Sequence, residues 1–220
     1  SSSPIGQDNV WLDNDFNDAV GSMSTFWGFY NNSWALFGRA PFIATQKLID
    51  AFDAGDPRRD LTLDPGSKAI KKYVTRDYLT NSGVASANNP RILRYADVLL
   101  LKAEALVKSG GSTADAIGLI NEVRTRARNM VGGGTFPENY STAETNTTTI
   151  MNWIIKERLL ELAAEGQRWF DIKRWHIAGD LVLNNAFFSA TNPAAMSFEA
   201  PKHLYFPIPT SELDVNPNVT

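Results

Sequence analysis

The 220-residue sequence contains no cysteine and only two histidines, His176 and His203. Without thiols there is neither a disulfide nor a thiolate metal site, and nothing in cysteine usage marks a redox compartment. The two histidines do not fall into an HExxH or related spacing, so no zinc ligand set is evident. Long apolar runs are missing as well, and none approaches the roughly 20 residues that span a bilayer. Ser1 to Ile5 has neither the basic start nor the apolar core of a secretory signal. Net charge is small, at −3, which gives no electrostatic ground for nucleic acid or an anionic membrane as partner. No glycine-rich phosphate loop follows a strand-like run; Gly132-Gly133-Gly134 reads as flexible linker by composition. Asp56, Asp60 and Asp64 do not match a calcium loop, and Pro57 and Pro65 among them mark turns. Neither a metal nor a cofactor is expected.

What the chain does have is an ordinary globular balance, 43% hydrophobic and 20% charged, with length enough for one substantial core. Its most organised stretch runs from Thr149 to Trp175. Ile155, Leu159, Leu162, Gly166 and Trp169 recur there at three- and four-residue steps, which predicts one long helix with these residues on its buried stripe. Glu157, Glu161 and Glu165 stack four apart on another side, a row of like charges that costs an isolated helix about 0.2–0.5 kcal/mol per pair. A basic surface must answer it. Arg158 and Arg168 can do so from the same stretch, and Arg124 and Arg128, also four apart, from the helical stretch upstream. Two helices with complementary polar edges are expected, joined by an ion-pair network.

The run Glu157-Arg158-Leu159-Leu160-Glu161-Leu162-Ala163-Ala164-Glu165-Gly166-Gln167-Arg168-Trp169-Phe170-Asp171, closed by Lys173-Arg174-Trp175, resembles the ER-x-x-EL-x-x-EG-x-R-x-x-D-x-x-RW segment of the SusD/RagB family. Further segments agree in order. They are Arg94-Tyr95-Ala96-Asp97-Val98-Leu99-Leu100-Leu101 with Ala103-Glu104-Ala105, then Ala116-Ile117, Ile120-Asn121 and Val123-Arg124, then Pro207-Ile208-Pro209 with Asn216-Pro217. The resemblance implies a tetratricopeptide-like helical bundle with long ordered loops and short strands. It also implies an outer-membrane lipoprotein that binds oligosaccharide nutrients without chemistry and passes them to a TonB-dependent transporter. Family members are anchored through an N-terminal cysteine and carry a helical-repeat half before these segments, so this chain is expected to be the C-terminal part of a longer protein. Its membrane attachment would then come only from a lipid anchor this chain lacks, at the extracellular face of the outer membrane.

In outline the sequence is expected to form a single domain, with a loop-rich aromatic segment over residues 1–90, a helical core over 91–180 and an extended clamp and tail over 181–220. Thr45 is an N-cap for a helix through Ala54 that Gly55 stops, and Asp56 to Asp60 turns the chain. Leu61–Leu63 and Ile70–Val74 are short enough to be strands paired across Asp64-Pro65-Gly66. Asn81 to Pro90 is a loop. Arg94 to Lys108 reads as a helix with Tyr95, Val98, Leu99, Lys102, Ala105 and Leu106 near one stripe, ended by Gly110 and Gly111. Ser112 and Asp115 form a capping box for a helix reaching about Met130, with Ile117, Ile120, Val123 and Ala127 inward. The two helices are antiparallel neighbours. Gly132 through Thr149 is a surface loop or partly disordered. Tyr205-Phe206-Pro207-Ile208-Pro209 is held extended by its prolines, its apolar side chains expected to clamp the bundle, and Asn216-Pro217-Asn218 is a turn.

Two constellations carry possible function. Trp27, Tyr30 and Trp34 lie in a loop-like stretch beside Asn31, Asn32 and Arg39. Aromatic faces stack on the C–H faces of sugars, and amide and guanidinium groups satisfy hydroxyls, so these residues are candidate glycan contacts; the same rings could equally fill core gaps. The acidic row is the other. Glycoside hydrolysis needs two carboxylates about 5–10 Å apart across a cleft, whereas Glu157, Glu161 and Glu165 are neighbours on one helix and flanked by arginines. A structural network fits better than an acid–base pair, so no enzyme is expected. Peptide in place of glycan, a helical-repeat scaffold that binds only protein, and an all-helical carbohydrate-active enzyme are the competing readings.

Overall fold

A computed structural model describes residues 43–70, 72, 91–189 and 193–216. Expectations for the aromatic segment, for the Asn81–Pro90 loop and for the turn following Asn216 lie outside the described residues. The chain is mostly α-helical, and among the described residues β-structure is confined to isolated bridges. It divides into two compact units at Arg168/Trp169.

In the first unit, helix α1 (Gln46–Ala51) starts where expected: the Thr45 hydroxyl accepts from Leu48 N at 3.3 Å. It ends three residues before the anticipated stop, because Phe52 leaves the helix in extended geometry and is buried. The next segment corrects the sequence reading. Asp56 to Asp60 is not a turn but the start of helix α2 (Pro57–Thr62). Asp56 caps it by accepting from Arg58 N at 3.0 Å, and Pro57 sits at the first position, where its missing N–H would be unpaired anyway. Leu61 and Thr62 therefore belong to α2 rather than to a strand. Leu63 does bridge Ile70 in antiparallel fashion across the Asp64 turn, where the Asp64 carboxylate accepts from Gly66 N and Ser67 Oγ. Ala44, Phe52, Leu63, Ile70 and Leu160 close a small apolar core against the inner side of α1.

Helices α3 (Tyr95–Lys108), α4 (Thr113–Arg128) and α5 (Thr147–Glu161) pack pairwise on one another, and α2 packs on both α4 and α5. Gly111 N donates to Leu106 O and Gly110 N to Val107 O, the paired bonds that finish α3; Ser112 Oγ accepts from Asp115 N at 3.1 Å to begin α4. The inward face of α4 is the expected one, Ile117, Ile120, Val123 and Ala127. That of α3 is not: Ala96, Leu99, Leu100, Ala103 and Val107 are buried, while Tyr95 and Val98 are exposed. Asp97 and Glu104 are buried as well. Residues 129–146 form a mostly exposed surface loop, as expected, but one tied to α4 near its middle: Asn121 donates to Tyr140 O and accepts from Tyr140 N, both at 2.8 Å, and Arg124 donates to Glu138 O.

The stretch expected to be one long helix is two. Helix α5 ends at Glu161, and after it Ala164 (φ 65) and Gly166 (φ 83) both adopt left-handed backbone before helix α6 (Arg168–Ala178) begins. Its buried stripe is also rotated from the expected one. Ile150, Ile154, Glu157 and Glu161, at steps of four, three and four, form a single inward line that is apolar at one end and acidic at the other.

In the second unit, Asp171, Ile172 and Trp175 of α6 are buried, and Asp180 N to Trp175 O with Gly179 N to His176 O closes the helix. Helix α7 (Asn185–Phe188) is capped by Asn184, while Asn185 Oδ1 accepts from Phe198 N and Phe188 stands against Phe198 with ring centroids 4.9 Å apart. Both histidines serve as acceptors for backbone N–H, His176 from Leu183 and His203 from Glu199. Residues 205–209 are non-helical, in keeping with their prolines, and Phe206 is 92% exposed. Helix α8 (Thr210–Val215) follows where only a tail was expected.

Two glycines separate backbone geometry from packing. A Cβ at Gly166 or at exposed Gly118 within α4 would meet nothing within 4 Å. Gly166→Ala is expected to destabilise by about 1–2 kcal/mol through its left-handed φ, and Gly118→Ala to stabilise by about 0.8–1 kcal/mol through helix propensity. Denaturant midpoints of the two variants moving in the same direction would contradict this assignment.

Candidate functional site

The acidic end of α5 is the most highly charged buried place among the described residues. Glu157 is 0% exposed and Glu161 2%. Such burial costs several kcal/mol per ion unless each oxygen finds a cationic donor, and here each does. Glu157 accepts from Arg58 Nη1 at 2.5 Å through Oε1 and from Arg124 Nη1 at 2.8 Å through Oε2. Glu161 accepts from Arg58 Nη1 at 3.1 Å through Oε2, and through Oε1 from Arg94 Nη1 at 2.6 Å and Arg126 Nη2 at 2.5 Å. Glu165 lies just beyond α5, yet its carboxylate reaches Arg94 Nε at 2.7 Å and pairs with Lys72. Lys72 also donates to Glu161 O and Ala163 O, the carbonyls that α5 leaves unpaired where it ends.

Arg58 is the junction. Its guanidinium is gripped by the Asp56 carboxylate through Nε and Nη2 while Nη1 reaches both glutamates, so the group that caps α2 also aims its arginine into the row. A second layer surrounds Arg124. Its guanidinium carbon lies 4.1 Å from the Tyr140 ring centroid, and Tyr140 stacks on Trp153 with centroids 4.2 Å apart and planes within 2°. Burial, reinforced by Glu157 and Asp53 against the opposing pull of Arg124, pushes the Tyr140 hydroxyl up to about 12. Burial alone would raise the Glu161 carboxyl, but the charges of Arg94, Arg126 and Arg58 outweigh it and hold the group below its ordinary value. Burial wins at Lys72, whose pKa is lowered despite Glu165.

This constellation lies inside the region, residues 55–220, over which the sequence matches the profile of the SusD family. The chain belongs to the SusD family. Among curated relatives, SusD-like protein P2 of Formosa agariphila is 30% identical over 214 residues, covering 86% of this chain and 40% of that protein. SusD-like protein P38 of the same organism is 41% identical over 120 residues, covering 54% of this chain and 23% of that one. SusD-like protein P25 is 28% identical over 193 residues, 84% and 35% of the two chains. The chain thus spans less than half the length of these relatives.

Within this SusD-family segment the structure redistributes the residues expected to form the network. Arg124 meets the row at Glu157. Arg128 does not: it donates to Pro137 O, to Asn139 Oδ1 at 2.8 Å and to Thr125 Oγ1 at 2.9 Å, and so secures the loop after α4. Arg158 turns to the other flank of α5 and pairs with Asp97 of α3 at 2.6 Å. Arg168 opens α6, and its charge adds to burial in lowering the pKa of Lys47. Trp27, Tyr30, Asn31, Asn32, Trp34 and Arg39 lie outside the described residues.

Arg58, Lys72, Arg94 and Arg126 went unrecognised in the sequence. A signal existed for Arg58, since Asp-Pro-Arg is a helix start as readily as a turn. Arg94 is the residue before α3, where spacing carries no information, and Arg126 lies outside the four-residue repeat of Arg124 and Arg128.

Removing one partner of a buried pair strands the other charge. Glu157→Ala is therefore expected to cost about 3–5 kcal/mol of unfolding free energy. In double-mutant cycles Arg124 should couple to Glu157 more strongly than to Glu161; equal couplings would remove the assigned pairing.

The acid side of the stability profile follows from Glu161. Its lowered folded-state pKa means that stability is fully present above the unfolded-state value and is lost as pH falls through the folded one. Urea midpoints should drop below about pH 4, and Glu161→Gln should flatten that slope; an unchanged slope would show that Glu161 does not drive acid unfolding.

Proposed function

We propose that this chain belongs to a nutrient-binding lipoprotein of the outer-membrane surface, which holds oligosaccharides by contact and hands them to a TonB-dependent transporter without breaking bonds. Family membership supports the reading at its coarse level, carbohydrate binding in nutrient uptake. The observation that carries its non-catalytic part is the state of the acidic row. A glycosidase acid needs a raised pKa and a partner across a cleft. Glu157 has both oxygens engaged by arginines, and Glu161 is pushed the other way, toward permanent charge. These carboxylates are framework.

Glycan contact is assigned to Trp27, Tyr30 and Trp34, with Asn31, Asn32 and Arg39 beside them for the hydroxyls. Release to a transporter requires modest affinity, with fast dissociation rather than tight holding. No helix among the described residues is long and apolar enough to cross a membrane.

Affinity electrophoresis of the full-length protein against a polysaccharide panel tests the reading. Trp27→Ala, Tyr30→Ala and Trp34→Ala should each weaken retention of the bound glycan by about fivefold or more, the order of a lost aromatic stacking contact. Unchanged retention in all three would move the binding face elsewhere, and absence of retention by any glycan would favour a peptide cargo or a protein-binding scaffold.

A further inference from the structure

Lys156 of α5 donates to Asp53 Oδ1 at 2.6 Å, with 37% and 32% of the two side chains left exposed. The pair answers its own charge. Burial would raise the Asp53 carboxyl, but Lys156 and Arg124 outweigh it and hold the group below its ordinary value, so Asp53 stays an acceptor beside the ammonium donors of Lys156. Two aromatic side chains adjoin the pair. Trp153 lies three residues before Lys156 and therefore on the same side of α5. Phe136, 41% exposed, packs on the turn just after Asp53, where a Cβ added at Gly55 would meet its ring at 3.4 Å.

Trp153 is held as a platform. Its indole stacks on Tyr140 with planes within 2°, and the Arg124 guanidinium takes the other face of Tyr140, so the column is fixed from its buried side by a residue already committed to Glu157. Trp153 itself is half-buried. With one face covered by Tyr140, its exposed surface belongs to the opposite face and the rim. An aromatic surface beside a donor and an acceptor of balanced charge suits a ligand with C–H faces and hydroxyls but no net charge. A charged ligand would compete with one member of the Lys156–Asp53 pair for the other, whereas a hydroxyl can accept from the ammonium and donate to the carboxylate while the pair stays closed. We infer that Trp153, Lys156, Asp53 and Phe136 form a contact site for a neutral oligosaccharide, one sugar ring lying on Trp153 with its hydroxyls on Lys156 and Asp53, and Phe136 meeting a neighbouring sugar. The inference rests on the oligosaccharide-binding reading above and narrows the ligand at this site to uncharged sugars. It adds a contact to those assigned to Trp27, Tyr30 and Trp34.

The test uses the full-length protein labelled with 5-fluorotryptophan and neutral fragments of mannan, unsubstituted xylan and β-glucan, followed by calorimetric titration and fluorine NMR. The Trp153 resonance, assigned by its loss in Trp153→Phe, should move on saturation with the fragment that binds. Trp153→Ala should weaken binding about fivefold, the order of a lost aromatic contact, and Trp153→Phe should restore most of it. Lys156→Gln and Phe136→Ala, both at partly exposed positions, should each weaken binding about threefold without a shift in melting temperature. Affinity should change little with salt, because the ligand carries no charge. An unmoved Trp153 resonance with wild-type affinity in all the variants would overturn the inference and leave oligosaccharide binding standing. So would a loss confined to Trp153→Ala and accompanied by a lower melting temperature, which would make the stack an anchor for the loop after α4 and nothing more. Preferential, salt-sensitive binding of acidic fragments through these residues would overturn the neutral ligand. Binding of no oligosaccharide at all would overturn the reading on which the inference rests.

Discussion

The burial of Glu157 and Glu161 constrains everything around it. An uncompensated carboxylate in this position is not tolerable, so the elements that carry their cations must be in place: α2 for Arg58, the entry to α3 for Arg94, α4 for Arg124 and Arg126. The apolar half of the same α5 stripe, Ile150 and Ile154, is indifferent to which hydrophobic surface it meets. The acidic half is not. Hydrophobic packing draws these helices together, and the ion pairs admit only an arrangement in which every carboxylate oxygen meets a donor.

Local devices feed this centre. Asp56 caps α2 and grips Arg58 with the same carboxylate, which couples the start of a helix to the aim of a side chain. Arg124 spans from Glu157 to the Glu138 carbonyl and the Tyr140 ring, so the loop after α4 is laid down by the residue that answers the row. The left-handed residues Ala164 and Gly166 follow the end of α5 at its last glutamate, and Lys72 satisfies the carbonyls of Glu161 and Ala163 there.

The family motif and the helical hairpin of α3 and α4 were readable because spacing, caps and glycine stops agree there. The ends of elements were less so. Thr149 to Trp175 carries a periodic pattern across its break, and periodicity cannot reveal the two left-handed residues that interrupt it. The buried faces were rotated from the expected ones: Asp97, Glu104, Glu157 and Glu161 all face inward, where the sequence reading had put Tyr95 and Val98 on the stripe of α3 and Ile155 and Leu159 on that of α5. Pairing was only partly accessible. The like-charged row demanded cations, but which arginines supply them depends on contacts between segments far apart in sequence.

That distance has a kinetic side. Arg58 precedes Glu157 by 99 residues. At a synthesis rate of about 5–20 residues per second, the guanidinium emerges roughly 5–20 s before its partner exists. The hairpin of α3 and α4 is made of near neighbours in sequence and can assemble during that interval, whereas Asp56 alone holds Arg58. Vectorial synthesis thus orders the events: the cationic framework is laid out first, and the late arrival of α5 locks it.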